Sequence, residues 1–419
     1  MNDIATIVDD SNEKLRAYLA REKTKRGVAI DSYFYRSHFV YERELSELLF
    51  KSWIYAAHIS EVPNPGDFVL FELGEDSLII VRDAAGRIHA LMNTCRHRGA
   101  RICAQDHGNT NTFVCPYHAW AYNTDGTLRS ARHMEVKEGF DKKDFPLKRA
   151  QVTVFEGLIF INCDENAADF QKPLANTKVQ LGAYELENAK IAHQHTYVVD
   201  ANWKFCLENY LECYHCGNAH KAYARMHTLQ DLPENVKDTV ENMQARAPAV
   251  TGVKGIEKDH RQIYNEADGF GACVSAWRYG LYEGFLTGSE DGKPVAPLMG
   301  KMKGYDGGCG DFQFGPLTFM LNYPDHCVLY RFIPRSITKT DMKVVWYVNG
   351  DAQEGKDYER DRVTALWHHT TLEDEYIIKR NAAGVHSRFF EPGPYHPAFE
   401  KTLQQFVNWY LHLLEQESN

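Results

Sequence analysis

Four residues in the first third of the chain have the types and spacing of an iron–sulfur ligand set. Cys95 and His97 are separated by one residue, and Cys115-x-x-His118 follows after seventeen intervening residues. Two thiolates and two imidazoles can hold a zinc ion, or a [2Fe–2S] cluster in which His replaces Cys on one iron. In a Cys2His2 zinc finger both Cys share one loop, whereas here each short loop supplies one Cys and one His. This division favours the two-iron cluster, with structural zinc as the alternative.

A second set of metal-binding residue types follows the pattern Glu212-x-x-His215-x-x-x-x-His220. Residues three apart are neighbours on a helix surface, so Glu212 and His215 can lie side by side. A residue five positions on is turned away from that face. His215 and His220 can therefore share a metal only if the helix bulges or breaks between them, and Gly217 with Asn218 is the expected place. Two His and one carboxylate suit an iron(II) with positions open for substrate and dioxygen.

The carboxylate of this second set could be Glu212 or a residue far downstream. Residues 358–383 predict a long helix that ends at Gly384, with an apolar stripe that includes Leu366 and Ile378. Asp374 lies on or near that stripe, where an unpaired carboxylate would be costly. A bound metal would explain its presence there.

Two sheets and two helices are expected to position these residues. Apolar or alternating runs predict strands at 68–73, 78–82, 88–92, 112–114, 318–323, 327–333 and 342–348. A strand precedes each of the two Cys/His loops, which indicates an antiparallel β domain that carries its site on loops at one end. Helices are predicted over 202–225 and 358–383, flanking the later sheet. The expected fold class is α+β, with a β cluster domain and a catalytic domain of sheet and helices.

The two Cys/His loops resemble those of the Rieske domain. The resembling segments are Cys95-Arg-His97-Arg-Gly-Ala and Cys115-Pro-Tyr-His118. The resemblance implies that Cys95 and Cys115 hold one iron of a [2Fe–2S] Rieske cluster while His97 and His118 hold the other.

The stretch from Asn202 to His220 resembles the mononuclear-iron helix of Rieske non-haem iron oxygenase α subunits, the aromatic-ring-hydroxylating dioxygenase family. This implies that His215, His220 and Asp374 ligate a mononuclear Fe(II). It also implies that Glu212 is the bridging catalytic residue that links this iron to the Rieske histidine of a neighbouring subunit. Most members have Asp at this position, and Glu is typical of members that act on quaternary ammonium compounds.

The resemblance also implies partners and a reaction. Electrons would come from a flavin- or ferredoxin-type NAD(P)H reductase, because no Gly-rich nucleotide-binding turn follows a strand of this chain. The family pattern implies a head-to-tail homotrimer. The expected reaction is the O2-dependent hydroxylation of a glycine betaine-like substrate, with N-demethylation and release of formaldehyde. The alternatives are an aromatic-ring hydroxylating oxygenase acting on an aromatic acid, and a pure electron-transfer Rieske protein.

A quaternary ammonium group has no hydrogen to donate, so aromatic faces are expected to bind it by cation–π attraction. Seven aromatic residues of the catalytic half are candidates for this role: Tyr264, Trp277, Tyr279, Phe285, Phe319, Tyr323 and Tyr330.

Length and composition bound the remaining questions. At 419 residues the chain suits an N-terminal segment (1–45) that packs on the catalytic domain, a Rieske domain (46–160) and a catalytic domain (161–419). Its 44% hydrophobic and 25% charged residues are typical of a globular enzyme. A net charge of −10 disfavours nucleic acid as a partner. Ten irregularly spaced cysteines, with neither a signal peptide nor a membrane-length apolar run, indicate a cytoplasmic protein.

Overall fold

A computed structural model describes residues 10–25, 27–264 and 269–416. The chain divides into two compact units, of which one comprises residues 50–171 and the other the remaining described residues. The first unit extends to Gln171, beyond the expected boundary at 160, because Phe170 stacks on Trp53 with ring centroids 5.2 Å apart. Among the described helices, none combines the length and the apolarity needed to cross a membrane.

The first unit is an antiparallel β domain. Its strands are β1 Ile54–His58, β2 Asp67–Leu73, β3 Asp76–Arg82, β4 Ile88–Met92, β5 His107–Asn109, β6 Thr112–Val114, β7 Ala121–Asn123, β8 Leu128–Ser130, β9 Arg149–Phe155 and β10 Leu158–Asn162. In the described part of the chain, seven of them form one sheet in the order β1-β10-β9-β4-β3-β2-β5 and three form a second, β6-β7-β8. The strands predicted at 68–73, 78–82, 88–92 and 112–114 are all present.

The second unit is built on one antiparallel sheet. Its strands are β11 Ala189–Val199, β12 His260–Ile263, β13 Cys273–Gly280, β14 Gly308–Phe314, β15 Thr318–Asn322, β16 Cys327–Ser336 and β17 Lys339–Asn349. Over the described residues the order is β11-β17-β16-β15-β14-β13-β12. Every residue of β15 is buried, as are the first eight of β16, because helices cover this sheet.

The described α-helices lie near the start, in the middle and near the end of the chain. They are α1 Asn12–Glu22, α2 Tyr33–Arg36, α3 His38–Arg43, α4 Gln171–Asn176, α5 Lys178–Leu181, α6 Trp203–Tyr210, α7 Cys216–Ala219, α8 Lys221–Ala224, α9 Pro233–Thr251, α10 Arg360–Val385 and α11 Lys401–Gln416. Helix α6 packs on β16, β17 and α10, whereas α9 packs on β13 and β14. The α+β fold class is therefore confirmed.

The two predicted helices differ in how well they match the structure. Helix α10 begins two residues later than expected and continues through Gly384 to Val385, because Gly384 keeps a right-handed helical backbone. The helix predicted over 202–225, with a bulge or break at Gly217 and Asn218, is interrupted at other places: the chain there forms α6, α7 and α8, separated by residues 211–215 and by His220.

A buried ion pair fixes the start of α6. Glu44, which is fully buried, accepts hydrogen bonds from Lys204 Nζ at 2.5 Å and Trp203 Nε1 at 2.7 Å, and from the hydroxyl of Tyr410. Burial lowers the pKa of Lys204, while the Glu44 carboxylate opposes that shift. Leaving either charge alone would cost about 3–5 kcal/mol. The N-terminal segment, α6 and α11 are thereby held together beside the second ligand set.

Candidate metal centres and substrate cavity

The two Cys/His loops of the first unit have the same local geometry. In each loop the Cys carbonyl accepts a hydrogen bond from the amide four residues later, Gly99 for Cys95 at 2.9 Å and Ala119 for Cys115 at 3.0 Å. Both of these closing residues have positive φ, +75° at Gly99 and +56° at Ala119. Both Cys are buried, at 3% and 2% exposure, so the two thiols face the interior of the unit.

The two imidazoles lie together beside these thiols. The ring centroids of His97 and His118 are 4.6 Å apart, and the His97 ring stacks on Trp120 at 4.9 Å. Burial lowers the pKa of His97, as do the neighbouring His118 and Arg98. Its Nδ1 is buried and has no hydrogen-bond partner among the described residues. A neutral imidazole with an orphaned nitrogen is what a metal ligand requires, so these residues fit a two-iron cluster.

A tyrosine hydroxyl lies against one of the sulfurs. Tyr122 Oη is 3.3 Å from Cys95 Sγ and accepts a hydrogen bond from the Arg96 amide at 3.1 Å. Because the oxygen already accepts, its proton is free to donate to the sulfur. Burial, followed by the Cys95 thiol, raises the pKa of Tyr122, so the hydroxyl keeps this proton.

In the second unit, Glu212 organises the turn between α6 and α7. Its carboxylate accepts hydrogen bonds from the amides of Tyr214 and His215 and contacts His215 Nδ1 at 2.5 Å. Because the side chain takes up amides that a continued helix would pair with carbonyls, the helix ends at Tyr210. The break therefore lies before His215, and Gly217 and Asn218, where it was expected, belong to the short helix α7.

Three atoms from distant parts of the chain meet in this unit. His220 Nε2 lies 3.1 Å from His215 Nε2 and 2.9 Å from Asp374 Oδ1, and the third distance, from His215 Nε2 to Asp374 Oδ1, is 3.4 Å. Ligands about 2.1 Å from an ion and at right angles to one another lie about 3 Å apart. Asp374 Oδ1 is buried and makes no well-aligned hydrogen bond to a described residue. The set therefore fits a two-His, one-carboxylate metal site.

In the absence of a metal, the short distances within the triad shift the pKa values of His215 and Asp374. Burial lowers the pKa of His215, but Asp374 and Glu212 outweigh it and raise the pKa to about 9. Burial raises the pKa of Asp374, and the two imidazoles outweigh that effect and hold it below its usual value. A cation at this point would replace the proton as the partner of the carboxylate.

Sequence reasoning missed two groups that contact the histidines. Glu373 Oε2 lies 2.9 Å from His220 Nδ1, and Glu212 Oε1 lies 2.5 Å from His215 Nδ1, so each imidazole has a carboxylate on the side away from the triad. Asn209 Nδ2 lies 3.4 Å from His215 Nε2. Such contacts orient ligand imidazoles. The sequence shows that Glu373 adjoins Asp374, but it does not show that the Glu373 side chain contacts His220.

A disulfide also flanks the triad. Cys213 is bonded to Cys216, although the Cys-x-x-Cys spacing was not interpreted in this way from the sequence. Cys216 Sγ lies within 4.8 Å of ligand atoms of His215 and His220. As a disulfide sulfur it offers no thiolate, so Asp374 is the better third ligand.

A cavity of about 970 Å³ opens onto these three residues. One wall is the face of β13, β14 and β15, and another comes from α6, α9 and α10. Of the seven candidate aromatic residues, three line it: Trp277, Tyr279 and Phe319. Five further aromatic residues join them: Tyr210, Tyr223, Phe270, Trp367 and Phe399. Aromatic faces can hold a cation or an aromatic ring.

Known proteins share both halves of this arrangement. Residues 52–146 match the Rieske [2Fe-2S] domain, and residues 186–416 match the ring hydroxylating alpha subunit (catalytic domain). The chain is 33% identical over 378 residues to a glycine betaine monooxygenase oxygenase subunit of Pseudomonas aeruginosa, covering 90% of this chain and 87% of that protein. It is 37% identical over 197 residues to a carnitine monooxygenase oxygenase subunit of Escherichia coli, covering 46% of this chain and 53% of the other.

The fold is shared with a solved structure. The crystal structure of the quaternary ammonium Rieske monooxygenase CntA in complex with L-carnitine superposes with a TM-score of 0.67 and 22% identity, covering 94% of this chain and 96% of that one. The match to the catalytic-domain family spans more than half of the chain, which is enough to assign the chain to that family. The chain belongs to the ring-hydroxylating α-subunit family of Rieske non-haem iron oxygenases, enzymes with a Rieske cluster, a mononuclear iron and a need for dioxygen and a reductase.

Proposed function

We propose that this chain is the terminal oxygenase that hydroxylates an N-methyl group of a quaternary ammonium compound similar to glycine betaine. The observation that carries the proposal is the cavity, in which aromatic faces surround a space that reaches the His215, His220 and Asp374 triad. The two relatives named above for glycine betaine and carnitine oxygenation support it. Glu212, in place of the usual Asp, supports it as well.

The residues that hold the two metal groups form part of the proposal. Cys95 and Cys115 would hold one iron of the cluster and His97 and His118 the other. His215, His220 and Asp374 would hold the mononuclear iron. When bound, these groups supply single electrons and an activated form of dioxygen.

The other residues around the second metal site would orient the ligand imidazoles and shield the site from water. Glu212 and Glu373 would fix the tautomer and the direction of the two imidazoles, because each accepts from Nδ1 and leaves Nε2 for the metal. The aromatic walls would exclude water and hold a trimethylammonium head with one methyl group towards the triad.

The proposed reaction balances as an oxygenation. One oxygen atom of O2 enters a C–H bond of the substrate, and the other leaves as water with two electrons and two protons. The hydroxymethyl ammonium product then loses formaldehyde, and the nitrogen keeps the electron pair of the broken C–N bond and takes up the hydroxyl proton. The demethylated amine is the second product.

We further propose a flavin- or ferredoxin-type NAD(P)H reductase as the electron source and a head-to-tail homotrimer as the working assembly. In this assembly Glu212 would face the cluster of a neighbouring subunit. A heterologous ring of this kind closes on itself.

Product analysis tests the proposed reaction. The holoenzyme, with a reductase and NADH, is given glycine betaine, and formaldehyde and dimethylglycine are measured against O2 consumed. We expect all three in equal amounts. Carnitine, choline and stachydrine are assayed in the same way, since they share the quaternary nitrogen. The absence of formaldehyde from all four, together with turnover of an aromatic acid, would contradict the proposal.

A further inference from the structure

Asp311 is an acidic residue in the cavity wall with no protein partner for its side chain. It lies on β14 directly opposite Trp277 of β13 and Leu321 of β15, and all three residues line the cavity. Within residues 10–25, 27–264 and 269–416, its carboxylate has neither a hydrogen bond nor an ion pair. Asp311 is partly buried, so an ionised carboxylate at this position loses part of its hydration and no protein group replaces it.

Other acidic residues of the same cavity have partners. Glu212 contacts His215, Asp231 accepts a hydrogen bond from the Tyr282 hydroxyl, and Glu241 forms an ion pair with Lys237 at 3.7 Å. The nearest arginine along β13, Arg278, is bonded to Asp306 at 2.6 Å. Asp311 therefore differs from these neighbours in having no hydrogen-bond or ion-pair partner among the described residues.

Aromatic rings surround this carboxylate. Trp277 is its cross-strand neighbour, and Tyr210, Tyr223 and Tyr279 lie close enough to feel its charge. Burial above all, with the charge of Asp311 as a further cause, raises the pKa of each of these three phenols. Burial also raises the pKa of Asp311 itself, to about 8. A carboxylate framed by π faces is complementary to a cation that has no hydrogen to donate.

The same rings border the triad. The Tyr223 ring centroid lies 6.3 Å from that of His220, and the pKa of Tyr223 is raised by Asp374 as well as by Asp311. Tyr210 follows Asn209, which contacts His215 at 3.4 Å. Asp311 and Asp374 thus line the same cavity and both act on Tyr223, so a small cation beside Asp311 would share this aromatic-lined space with the triad.

We propose that Asp311 is the counter-charge for the quaternary ammonium group of the substrate and selects a quaternary nitrogen over an uncharged quaternary carbon of the same shape. This inference rests on the proposed function and adds the residue that determines its specificity. Because its pKa in the empty cavity is about 8, Asp311 is largely protonated at neutral pH, and a bound cation would favour the ionised carboxylate. Attraction between two unit charges is strong where water is displaced.

A pair of ligands matched in shape but different in charge tests the inference. Wild-type enzyme, D311N and E241Q, each loaded with iron and cluster, are titrated calorimetrically with glycine betaine and with 3,3-dimethylbutanoate, in which carbon replaces the nitrogen. Tetramethylammonium chloride is the third probe, because it carries the cation alone. E241Q is the control, since it removes a carboxylate at the exposed side of the same cavity, where the Glu241 side chain is 61% exposed.

We expect D311N to bind glycine betaine and tetramethylammonium about a hundredfold more weakly, and to bind the anion 3,3-dimethylbutanoate as well as the wild type or more tightly. E241Q should bind all three ligands as the wild type does. Asn has the shape of Asp, and its amide removes an unpartnered charge, so the melting temperature of D311N should stay equal or rise. This measurement separates lost binding from lost folding.

The outcomes separate the two proposals. Unchanged binding of glycine betaine to D311N would overturn the role of Asp311, and formaldehyde release by the wild type would leave the proposed function standing. Asp311-dependent binding of tetramethylammonium without oxidation of any quaternary ammonium compound would support the site and overturn the function. Failure of the wild-type enzyme to bind any of these cations would overturn both.

Discussion

The hydroxyl of Tyr122 is placed to tune the potential of the cluster. It can donate to Cys95 Sγ at 3.3 Å while accepting from the Arg96 amide. Reduction adds negative charge to the cluster, so a donor to sulfur stabilises the reduced form more than the oxidised form. Tyr122→Phe should therefore lower the midpoint potential by about 40 mV, which corresponds to about 1 kcal/mol for a one-electron couple. A redox titration followed by electron paramagnetic resonance measures this shift.

Tyr117→Phe provides the matched control for this prediction. Tyr117 belongs to the second Cys/His loop and is 56% exposed, with its ring against His118 and under the guanidinium of Arg98. Its hydroxyl makes no hydrogen bond to either cluster thiol among the described residues, so its removal should leave the potential unchanged. An equal shift in both variants would show that the hydrogen bond from Tyr122 is not the cause.

The sequence predicted the position of Asp374 at a metal site but not the position of Asp311 in the cavity wall. Asp374 was expected at a metal because a carboxylate on an apolar stripe needs a partner, and the structure brings it to His215 and His220. Asp311 gave no such signal: an acidic residue in an alternating strand normally faces solvent. Its position became clear only from the cross-strand register with Trp277, which the sequence does not specify.

Among the elements, the strands were more predictable than the helix of the second ligand set. An apolar or alternating run is a local property of one strand, and such runs located β2, β3, β4 and β17. The helix failed because Trp203, Cys206 and Leu207 continue an apolar period towards the ligands, while the break depends on the Glu212 side chain. A side chain that competes with the helix for backbone amides does not alter the spacing of apolar residues, so that spacing cannot reveal the break.

Glu212 at this break offers a test of its proposed role between the two metals. Glu212→Gln keeps the shape of the side chain, so both metal groups should stay bound. We expect turnover driven by reductase and NADH to be nearly abolished. Hydrogen peroxide supplies both the oxygen and the two electrons, so product formation driven by peroxide should persist. The readout is the amount of formaldehyde formed with reductase and NADH divided by the amount formed with peroxide.

Glu373→Gln is the control, because Glu373 makes the equivalent contact with His220 Nδ1 at 2.9 Å. Its substitution should change the two activities in parallel, as expected for a residue that only orients a ligand. Loss of the mononuclear iron from the Glu212 variant, with both activities lost, would show instead that Glu212 is a metal ligand.

At the scale of the whole molecule, the proposed trimer predicts complementation between inactive chains. Asp374→Asn should remove a proposed ligand of the mononuclear site and leave the cluster intact, whereas Cys115→Ser, at a proposed cluster ligand, should disable the cluster and leave the triad intact. Each variant alone should be inactive. Iron analysis checks the two lesions: about two irons per chain should remain in the first variant and about one in the second, against about three in the wild type.

Mixed trimers distinguish transfer between chains from transfer within one chain. The two variants are co-expressed with different affinity tags, and particles that carry both tags are purified. In a head-to-tail ring of either composition, one of three junctions joins an intact cluster to an intact triad on the next chain. Activity should therefore return to about one third of the wild-type value per trimer. Transfer within a chain predicts none, because neither variant chain has both sites, and inactive doubly tagged trimers would refute the proposed assembly.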